Sequence, residues 1–358
     1  MHKTVKLWYY AADNTNPWEL GTMIDLACPE VRFALDVVRR ASALCQRVQT
    51  GMAMMGLTKS DFSPVTVADY AVQAMAGQML AEQFPDALLV GEEKADALRE
   101  ASGAQMRGVV AQFVGRVVPG ASEDQVCAWI DRGAAEPGGR YWTLDPVDGT
   151  KGYLRGGQYA VALALIDQGT VALGVLGCPN LGEQCQPDVC GLGSLLVARP
   201  GEGAWHTSLA DDQADFHPLR VSACKDGAAA RMLRSFESGH TNAGDIDAIG
   251  AKLGVQAEPV LMDSQAKFAV LASGGGELMF RFPPPDKPVY QEKIWDNAAG
   301  AVILEEAGGR ITDMWGKPLD FTTGRKLTNN SGIFASNGWM HEAGLNAIAE
   351  VCGPRPER

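Results

Sequence analysis

The sequence lacks the features that define nucleic-acid-binding and membrane proteins. It has no cluster of lysine and arginine, and its formal net charge is −12. A protein that binds a nucleic-acid backbone needs a positive surface stretch. No apolar run approaches the roughly 18 residues of a membrane-spanning helix. We therefore expect neither a nucleic-acid partner nor a membrane partner.

Cysteine and histidine are too scattered to form a disulfide framework or a zinc site. The eight cysteines include no C-x-x-C pair, and the five histidines show no zinc spacing. So few cysteines in a chain of 358 residues are typical of a reducing, cytoplasmic compartment. Cys185 and Cys190 lie in a loop rich in glycine and proline, and redox regulation through them is a hypothesis. The stretch from Met1 to Gly21 has no apolar signal core, although it leaves organellar targeting open.

The most informative stretch joins two carboxylates, Asp145 and Asp148, to a predicted strand and a predicted helix. The apolar run Tyr141–Leu144 predicts the strand, which Pro146 should end because proline has no N–H for a sheet ladder. Thr150 falls at an expected helix start, where anions bind. Two carboxylates and a main-chain carbonyl on one side of a turn suit a hard divalent cation. The same pattern taken alone is also typical of an acidic surface turn.

The rest of the chain alternates predicted helices and strands. Apolar residues at helical spacing predict a helix over Pro29–Met55 and, after the stretch Ser63–Tyr70 leads into it, a second helix that continues from Val72 to Leu80. The predicted strands over 159–166 and 171–176 are apolar on both faces, so the sheet should be covered on both sides. After about residue 218 shorter elements alternate, which favours a second α/β unit. Within it, Trp295–Ala307 predicts an apolar helix with an aspartate in its first turn.

Three further acidic positions each have an ordinary structural explanation. Asp69, three residues after Thr66, resembles part of a helix-capping pair. Glu92 and Glu93 end a short apolar strand, where glutamates usually face solvent. Asp296 would favour the positive end of the helix dipole. Taken singly, none of these positions predicts chemistry.

Together, the acidic motifs resemble those of the inositol monophosphatase-like, lithium-sensitive magnesium phosphatases. The three motifs are Glu92-Glu93 after a glycine, Asp145-Pro-Val-Asp148-Gly-Thr150 and Trp295-Asp296-Asn-Ala-Ala-Gly300. Longer strings resemble the 3′(2′),5′-bisphosphate nucleotidases of that superfamily. They are Ser63-Pro-Val-Thr-Val-Ala-Asp69, Lys151-Gly-Tyr-Leu-Arg-Gly156, Gln158-Tyr-Ala-Val161, Gly177-Cys-Pro-Asn180, Asp263-Ser-Gln-Ala-Lys267 and Tyr290-Gln-Glu-Lys-Ile-Trp-Asp296.

The resemblance implies a fold and a domain division. The fold would be α/β, a layered αβαβα sandwich of the inositol monophosphatase and fructose-1,6-bisphosphatase type. An α+β metal-binding domain would span 28–217, and an α/β nucleotide-binding domain would span 218–352. Residues 1–27 form an extension outside the resemblance.

The resemblance also assigns roles to individual residues. One Mg²⁺ would be held by Glu92, Asp145 and the carbonyl of Val147, and a second by Asp145, Asp148 and Asp296, with two or three ions in all. Asp69 and Thr150 would orient and deprotonate the attacking water. The predicted substrate-binding residues are Thr150, Gly239, His240, Ser264, Lys267, Arg281, Tyr290 and Asp296, with Lys267 and Arg281 on the 5′-phosphate.

The expected activity is that of a magnesium-dependent phosphoric monoester hydrolase that converts adenosine 3′,5′-bisphosphate to AMP and phosphate. Family similarity extends the expectation to the sulfated nucleotide PAPS, to inositol 1,4-bisphosphate and to inhibition by Li⁺. We expect a cytoplasmic monomer or homodimer with a small-molecule substrate in sulfur metabolism. One alternative is an inositol phosphate or sugar phosphatase on the same scaffold. An alternative of another class is a nucleotide-binding sensor without catalysis.

Overall fold

Two long helices begin the part of the chain that the structure describes. This computed structural model describes residues 23–54, 63–182, 185, 192–236, 242–284 and 289–353. Helix α1 spans Pro29–Met54 and helix α2 spans Pro64–Gln83. Both begin with proline, whose fixed φ and missing N–H suit a first helical turn. The predicted helices are therefore confirmed with small shifts of their ends.

A seven-stranded sheet follows these helices, with its strands in the order of the chain. The strands are β1 Leu88–Gly91, β2 Arg140–Asp148, β3 Ala160–Asp167, β4 Thr170–Cys178, β5 Ser194–Arg199, β6 Gly203–Ser208 and β7 His217–Pro218. Strands β1 and β2 are parallel, and each later pair is antiparallel. The helices along this part are α3 Asp96–Arg99, α4 Ala104–Val114, α5 Glu123–Asp131 and α6 Thr150–Arg155.

The second part of the chain builds a five-stranded sheet in the order β11-β12-β10-β8-β9. Its elements are β8 Met232–Arg234, α7 Ala243–Lys252, β9 Val260–Leu261, α8 Ala266–Ala272, β10 Leu278–Arg281, α9 Ala298–Glu306, β11 Arg310–Thr312, β12 Ile333–Ser336 and α10 His341–Cys352. The predicted boundary at 217/218 falls between the two sheets. That the two parts are separate domains stays a prediction.

The layers follow from the alternation of side chains along each strand. In β3, Val161 and Leu163 pack with α1 and α2, whereas Ala162 and Ala164 face the opposite core, which contains α8 and α9. The other face of the five-stranded sheet packs against α7 and α10. The order is therefore αβαβα, as predicted, and the seven-stranded sheet is covered on both sides. None of the helices in the described ranges meets the length and hydropathy needed to cross a membrane.

The prediction that Pro146 ends its strand is wrong. Strand β2 continues to Asp148, and its register with β3 shifts between Asp145 and Asp148. Strand β1 pairs with β2 only as far as Leu144. Pro146 therefore costs no hydrogen bond to β1, because that pairing has already ended. On the β3 side it lies within the irregularity between Asp145 and Asp148. The extended path of β2 carries both aspartates to the end of the sheet.

The predicted helix at Trp295 begins later than expected. Helix α9 starts at Ala298, and Asp296 lies in the turn that precedes it. Asp296 is therefore not in the first turn of a helix, and dipole stabilisation does not account for its position.

A buried histidine is the polar centre of the core beneath α10. His341 is fully buried, and its ring is stacked on Phe334 with centroids 4.5 Å apart. Its Nε2 lies 3.1 Å from Thr312 Oγ1, and its Nδ1 lies 2.9 Å from Ser336 Oγ. Burial, assisted by the charge of Arg310, lowers the pKa of His341 to about 3. This histidine is neutral in the folded protein at physiological pH.

Candidate active site

Asp69 is a buried carboxylate in the second turn of α2. Only 9% of the residue is exposed, and among the described residues its Oδ1 has no hydrogen-bond partner. Helix α2 begins at Pro64, so Asp69 is too far along the helix to cap it, and the capping interpretation is wrong. Burial, and then the charges of Glu93 and Glu92, raise the pKa of Asp69 well above its ordinary value. Such a side chain can accept a proton near neutral pH.

Glu92 and Asp145 are adjacent because their strands are parallel. Gly91 pairs with Leu144 in the β1–β2 register, so the next residue of each strand emerges at the same edge. The two carboxyl groups lie within hydrogen-bonding reach of each other. Asp145 is 3% exposed, and no residue in the described ranges forms a hydrogen bond with its Oδ1. The sequence motifs on two separate strands thus meet at one place.

Asp148 and Asp296 connect this edge to the second sheet. The Asp148 carboxylate accepts a 2.6 Å hydrogen bond from the backbone N–H of Gln265, just before α8. Asp296 lies 3.3 Å from the guanidinium of Arg281, at the end of β10. Three of the predicted metal ligands therefore lie on or directly after strands of the seven-stranded sheet, Asp296 lies in the turn before α9, and residues of the second part of the chain contact Asp148 and Asp296.

Mutual repulsion dominates the electrostatics of this carboxylate group after burial. Burial and then Asp296 raise the pKa of Glu92 to about 7, although solvent at this exposed residue screens part of the effect. Burial and then Asp296 raise the pKa of Asp148 to about 6, and burial raises that of Asp296 to about 6 despite Arg281. For Asp145 burial and then Glu92 raise the pKa well above its usual range. A nearby cation would relieve this repulsion.

The donor set suits Mg²⁺ in type. The four carboxylates supply hard oxygen ligands. One of their oxygens, Asp145 Oδ1, is buried and has no hydrogen-bond partner among the described residues. Val147, whose carbonyl is the predicted fifth donor, is buried between the two aspartates of β2. As they stand in the described ranges, however, no three His, Cys, Asp or Glu side chains are arranged to hold a metal ion.

The cationic side chains predicted for the substrate lie beside the carboxylates. Lys267 on α8 is 8% exposed, and burial lowers its pKa to about 8. Burial opposes protonation of Arg281, but Glu292, Asp296 and the other nearby carboxylates raise its pKa above the ordinary value. Tyr290 is half-buried and within hydrogen-bonding reach of Arg281.

Ser264 and Thr150 flank the turn between β2 and α6. Ser264 has a φ of 68°, in the left-handed region that is unusual for a residue other than glycine. A Cβ on Gly149, whose φ is 89°, would come within 2.8 Å of the Ser264 Cβ. Thr150 is exposed as the first residue of α6. The predicted residues Gly239 and His240 lie outside the described residues.

Sequence comparison decides the family. The model of the inositol monophosphatase family matches residues 20–352. The chain belongs to the inositol monophosphatase family. It is 38% identical over 345 residues to a 3′(2′),5′-bisphosphate nucleotidase of Schizosaccharomyces pombe, covering 91% of this chain and 97% of that one. It is 39% identical over 343 residues to one of Oryza sativa, covering 90% and 94%.

Solved structures of inositol monophosphatases share the fold of this family member. An IMPase of Thermotoga maritima matches with a TM-score of 0.59 at 19% identity, over 91% of this chain and 98% of that chain. Inositol monophosphatase II of Staphylococcus aureus matches with a TM-score of 0.60 at 17% identity, over 90% and 96%. At these identities the likeness establishes the fold alone.

Two buried glutamines hold the segments that carry the carboxylates in this member of the inositol monophosphatase family. The sequence motifs did not predict either of them. Gln73 of α2 is fully buried and bonds both the N–H and the carbonyl of Glu93, at 2.9 and 2.6 Å. Gln265 is 2% exposed, and its amide bonds the carbonyl of Trp295 and the N–H of Gly300. An amide within an otherwise apolar helical pattern is the available signal for Gln73, whereas Gln265 has no such signal because polar residues surround it.

Arg325 is a further missed residue, far from every recognised motif. Its guanidinium donates to the carbonyl of Gly91, directly before Glu92. The same guanidinium lies 4.9 Å from the ring centre of Trp295, directly before Asp296. One side chain therefore contacts the neighbours of two predicted metal ligands that are distant in the sequence.

The cysteine hypothesis gains no support from the described residues. Cys185 is fully buried, and burial raises its pKa to about 12, which disfavours the reactive thiolate. Cys190 lies outside the described residues. Redox regulation remains a hypothesis.

Proposed function

We propose that this protein is a Mg²⁺-dependent 3′(2′),5′-bisphosphate nucleotidase that hydrolyses adenosine 3′,5′-bisphosphate to AMP and phosphate. The observation that carries the proposal is the placement of Lys267 and Arg281 beside the half-buried carboxylates of Asp148 and Asp296. Relatives that match over most of their length and bear this enzyme name support the same activity. Such a site combines a cation-binding region with positive side chains for a second phosphate.

In this proposal Glu92, Asp145, Asp148, Asp296 and the Val147 carbonyl hold two or three Mg²⁺. Bound Mg²⁺ would neutralise the phosphoryl oxygens and lower the pKa of the attacking water. Phosphoryl transfer depends mainly on such charge stabilisation and positioning.

The proton from the attacking water would pass to Asp69, with the Thr150 hydroxyl orienting the water. The unpartnered Oδ1 of Asp69 supports this role, since it is a buried acceptor whose pKa is raised. A base with a pKa nearer the working pH takes a proton more readily than an ordinary aspartate.

The leaving nucleotide would be fixed by its 5′-phosphate. Arg281 can present two N–H groups to a phosphate, and Lys267 supplies a point charge. The Lys267 ammonium makes two long contacts with described residues, 3.3 Å to Ser235 Oγ and 3.4 Å to the Met262 carbonyl. A phosphate oxygen is a stronger acceptor than either.

The test compares phosphate release from adenosine 3′,5′-bisphosphate and from inositol 1-phosphate, with and without Mg²⁺ and then with Li⁺. We expect Mg²⁺-dependent turnover, a preference for the nucleotide, and inhibition by Li⁺. A preference for inositol 1-phosphate would favour the alternative of an inositol phosphatase. Nucleotide binding without any turnover would favour the sensor. Activity on PAPS and inositol 1,4-bisphosphate, a cytoplasmic location, and a monomeric or homodimeric state remain predictions.

Replacing Lys267 by methionine should separate the 5′-phosphate subsite from the chemistry. We expect kcat/KM for adenosine 3′,5′-bisphosphate to fall about tenfold to a hundredfold, the usual cost of one charge-assisted hydrogen bond. Activity on adenosine 3′-monophosphate, which has no 5′-phosphate, should change little. Lys252→Met, at an exposed ion pair with Glu350, is the matched control. Equal losses on both substrates would contradict the assignment.

Replacing Arg325 by methionine should raise the Mg²⁺ concentration needed for half-maximal activity about tenfold, as is typical when a partner of the metal ligands is lost. Methionine keeps an apolar contact with Trp295 but cannot donate to the carbonyl of Gly91. Mg²⁺ affinity measured by calorimetry should fall in parallel. Arg39→Met is the control, because Arg39 also donates to main-chain carbonyls but on a remote loop. An unchanged Mg²⁺ requirement would show that Arg325 positions neither ligand.

A further inference from the structure

A cavity separate from the candidate active site lies at the β7 edge of the seven-stranded sheet. Its volume is about 640 Å³, within the range that small ligands occupy. Strands β5, β6 and β7 form much of its wall, and Arg220 and Ser273 complete the wall from the second part of the chain. The described lining includes none of the carboxylates or cations of the candidate active site. Whatever binds here does not share that site.

Two histidines face each other across adjacent strands in this wall. His206 of β6 and His217 of β7 are direct partners in the antiparallel register. Side chains at directly opposite positions project from the same face of a sheet. The two imidazole rings have centroids 5.6 Å apart and are tilted by 42°. His206 is half-buried and His217 is exposed, so a solute can reach the pair.

The pair is chemically suited to a metal ion rather than to an anion. Burial and then the neighbouring His217 lower the pKa of His206, which favours a neutral ring with a free lone pair. Neutral imidazole nitrogens are ligands for zinc, nickel and copper, whereas carboxylates suit magnesium. The distance between the rings is small enough that side-chain rotation can bring one nitrogen of each to the roughly 2.0–2.1 Å of a zinc–imidazole bond.

The remaining coordination positions would be open to the cavity. Asp215 lies two residues before His217 and lines the same cavity. Within the ranges that the structure describes, however, no three donor side chains form a group that could hold a metal. The protein therefore offers two nitrogen ligands, and water or a small anion would complete the coordination.

We propose that His206 and His217 together bind one divalent transition-metal ion, of the zinc and nickel class, at the cavity beside β7. The ion would join β7 to β6 and thereby fix the segment 209–216 that connects them. The site is independent of the proposed phosphatase reaction, because no residue assigned to that reaction takes part.

The test measures Ni²⁺ and Zn²⁺ binding to the full, tag-free chain by calorimetry, in excess Mg²⁺ so that the carboxylates are occupied. The variants are His206→Gln and His217→Gln, and the matched control is His2→Gln, which removes a histidine next to the chain start. We expect one ion per chain in the unmodified protein and in the control, and at least tenfold weaker binding in each of the two variants.

A second measurement separates a lost site from a damaged fold. Ni²⁺ should raise the thermal unfolding midpoint of the unmodified protein but of neither histidine variant. Without Ni²⁺, all the proteins should unfold at similar temperatures and retain the same phosphatase activity. The proposal is overturned if the unmodified protein shows no saturable binding, or if either variant binds Ni²⁺ as tightly as the unmodified protein.

Discussion

Replacing Asp145 by asparagine should lower phosphatase activity by about 10³-fold or more, on the scale expected when electrostatic stabilisation of a transition state is lost. Asp145 is predicted to contact both Mg²⁺ ions, and it is the predicted ligand with a buried, unpartnered oxygen. Asparagine preserves the shape but removes the charge. The loss should therefore come from weaker metal binding rather than from a disturbed fold.

The same substitution should make the metal-free protein harder to unfold. Burial and the neighbouring carboxylates raise the pKa of Asp145, which means that its charge is unfavourable in the folded state without a cation. In EDTA at pH 7.5 the urea midpoint of Asp145→Asn should exceed that of the unmodified protein. Added Mg²⁺ should stabilise the unmodified protein and have little effect on the variant.

A surface substitution provides the control for both measurements. Asp86→Asn, on an exposed turn, should change neither activity nor the response to Mg²⁺. If Asp145→Asn retained full turnover, or if Mg²⁺ stabilised it as much as the unmodified protein, the two-metal assignment would be wrong.

Acid should destabilise the protein through His341 by up to about 5 kcal/mol, since each pKa unit corresponds to about 1.4 kcal/mol. Its pKa is lowered from 6.5 to about 3 in the folded state. Below pH 6.5 the unfolded chain therefore binds a proton that the folded chain does not. Stability from this residue is present above pH 6.5 and is lost progressively as the pH falls toward 3.

A comparison with His341→Gln isolates this effect. Glutamine keeps hydrogen-bonding groups for Thr312 and Ser336 but does not titrate. Between pH 6.5 and 5.0 the unmodified protein should lose about 2 kcal/mol more unfolding free energy than the variant, from the same conversion. The carboxylates with raised pKa values instead stabilise the folded protein as the pH falls. Both proteins contain them, so their contribution cancels in the comparison. Parallel stability curves would rule out His341 as the acid-sensitive group.

The sequence predicts the local backbone around the acidic motifs only in part, and the ligand set itself stays a prediction. Glu92 follows a short strand as expected, whereas Asp145 lies inside β2 rather than at its end, and the parallel register places the two residues side by side. The end of the strand at Pro146 was predicted wrongly because sequence does not reveal which edge of a strand needs its N–H groups. Asp69 was interpreted as a cap because capping patterns recur by chance inside helices.

The supporting contacts could not be predicted because they join distant parts of the chain. Gln265 and Arg325 follow no periodic pattern, and each acts through partners on another element. Whether a polar amide is buried depends on how the two sheets pack together, which the sequence alone does not show. The identity of such residues depends on tertiary structure, whereas the acidic motifs are short enough to be recognised locally.

The positions of the predicted carboxylates and cations along the chain have a consequence for how this protein can change over evolutionary time. Four of the five predicted carboxylates, Asp69, Glu92, Asp145 and Asp148, lie before residue 218, whereas Lys267, Arg281 and Tyr290 lie after it. We expect substitutions in that second part of the chain to alter which leaving group is accepted while four of the five predicted carboxylates stay unchanged.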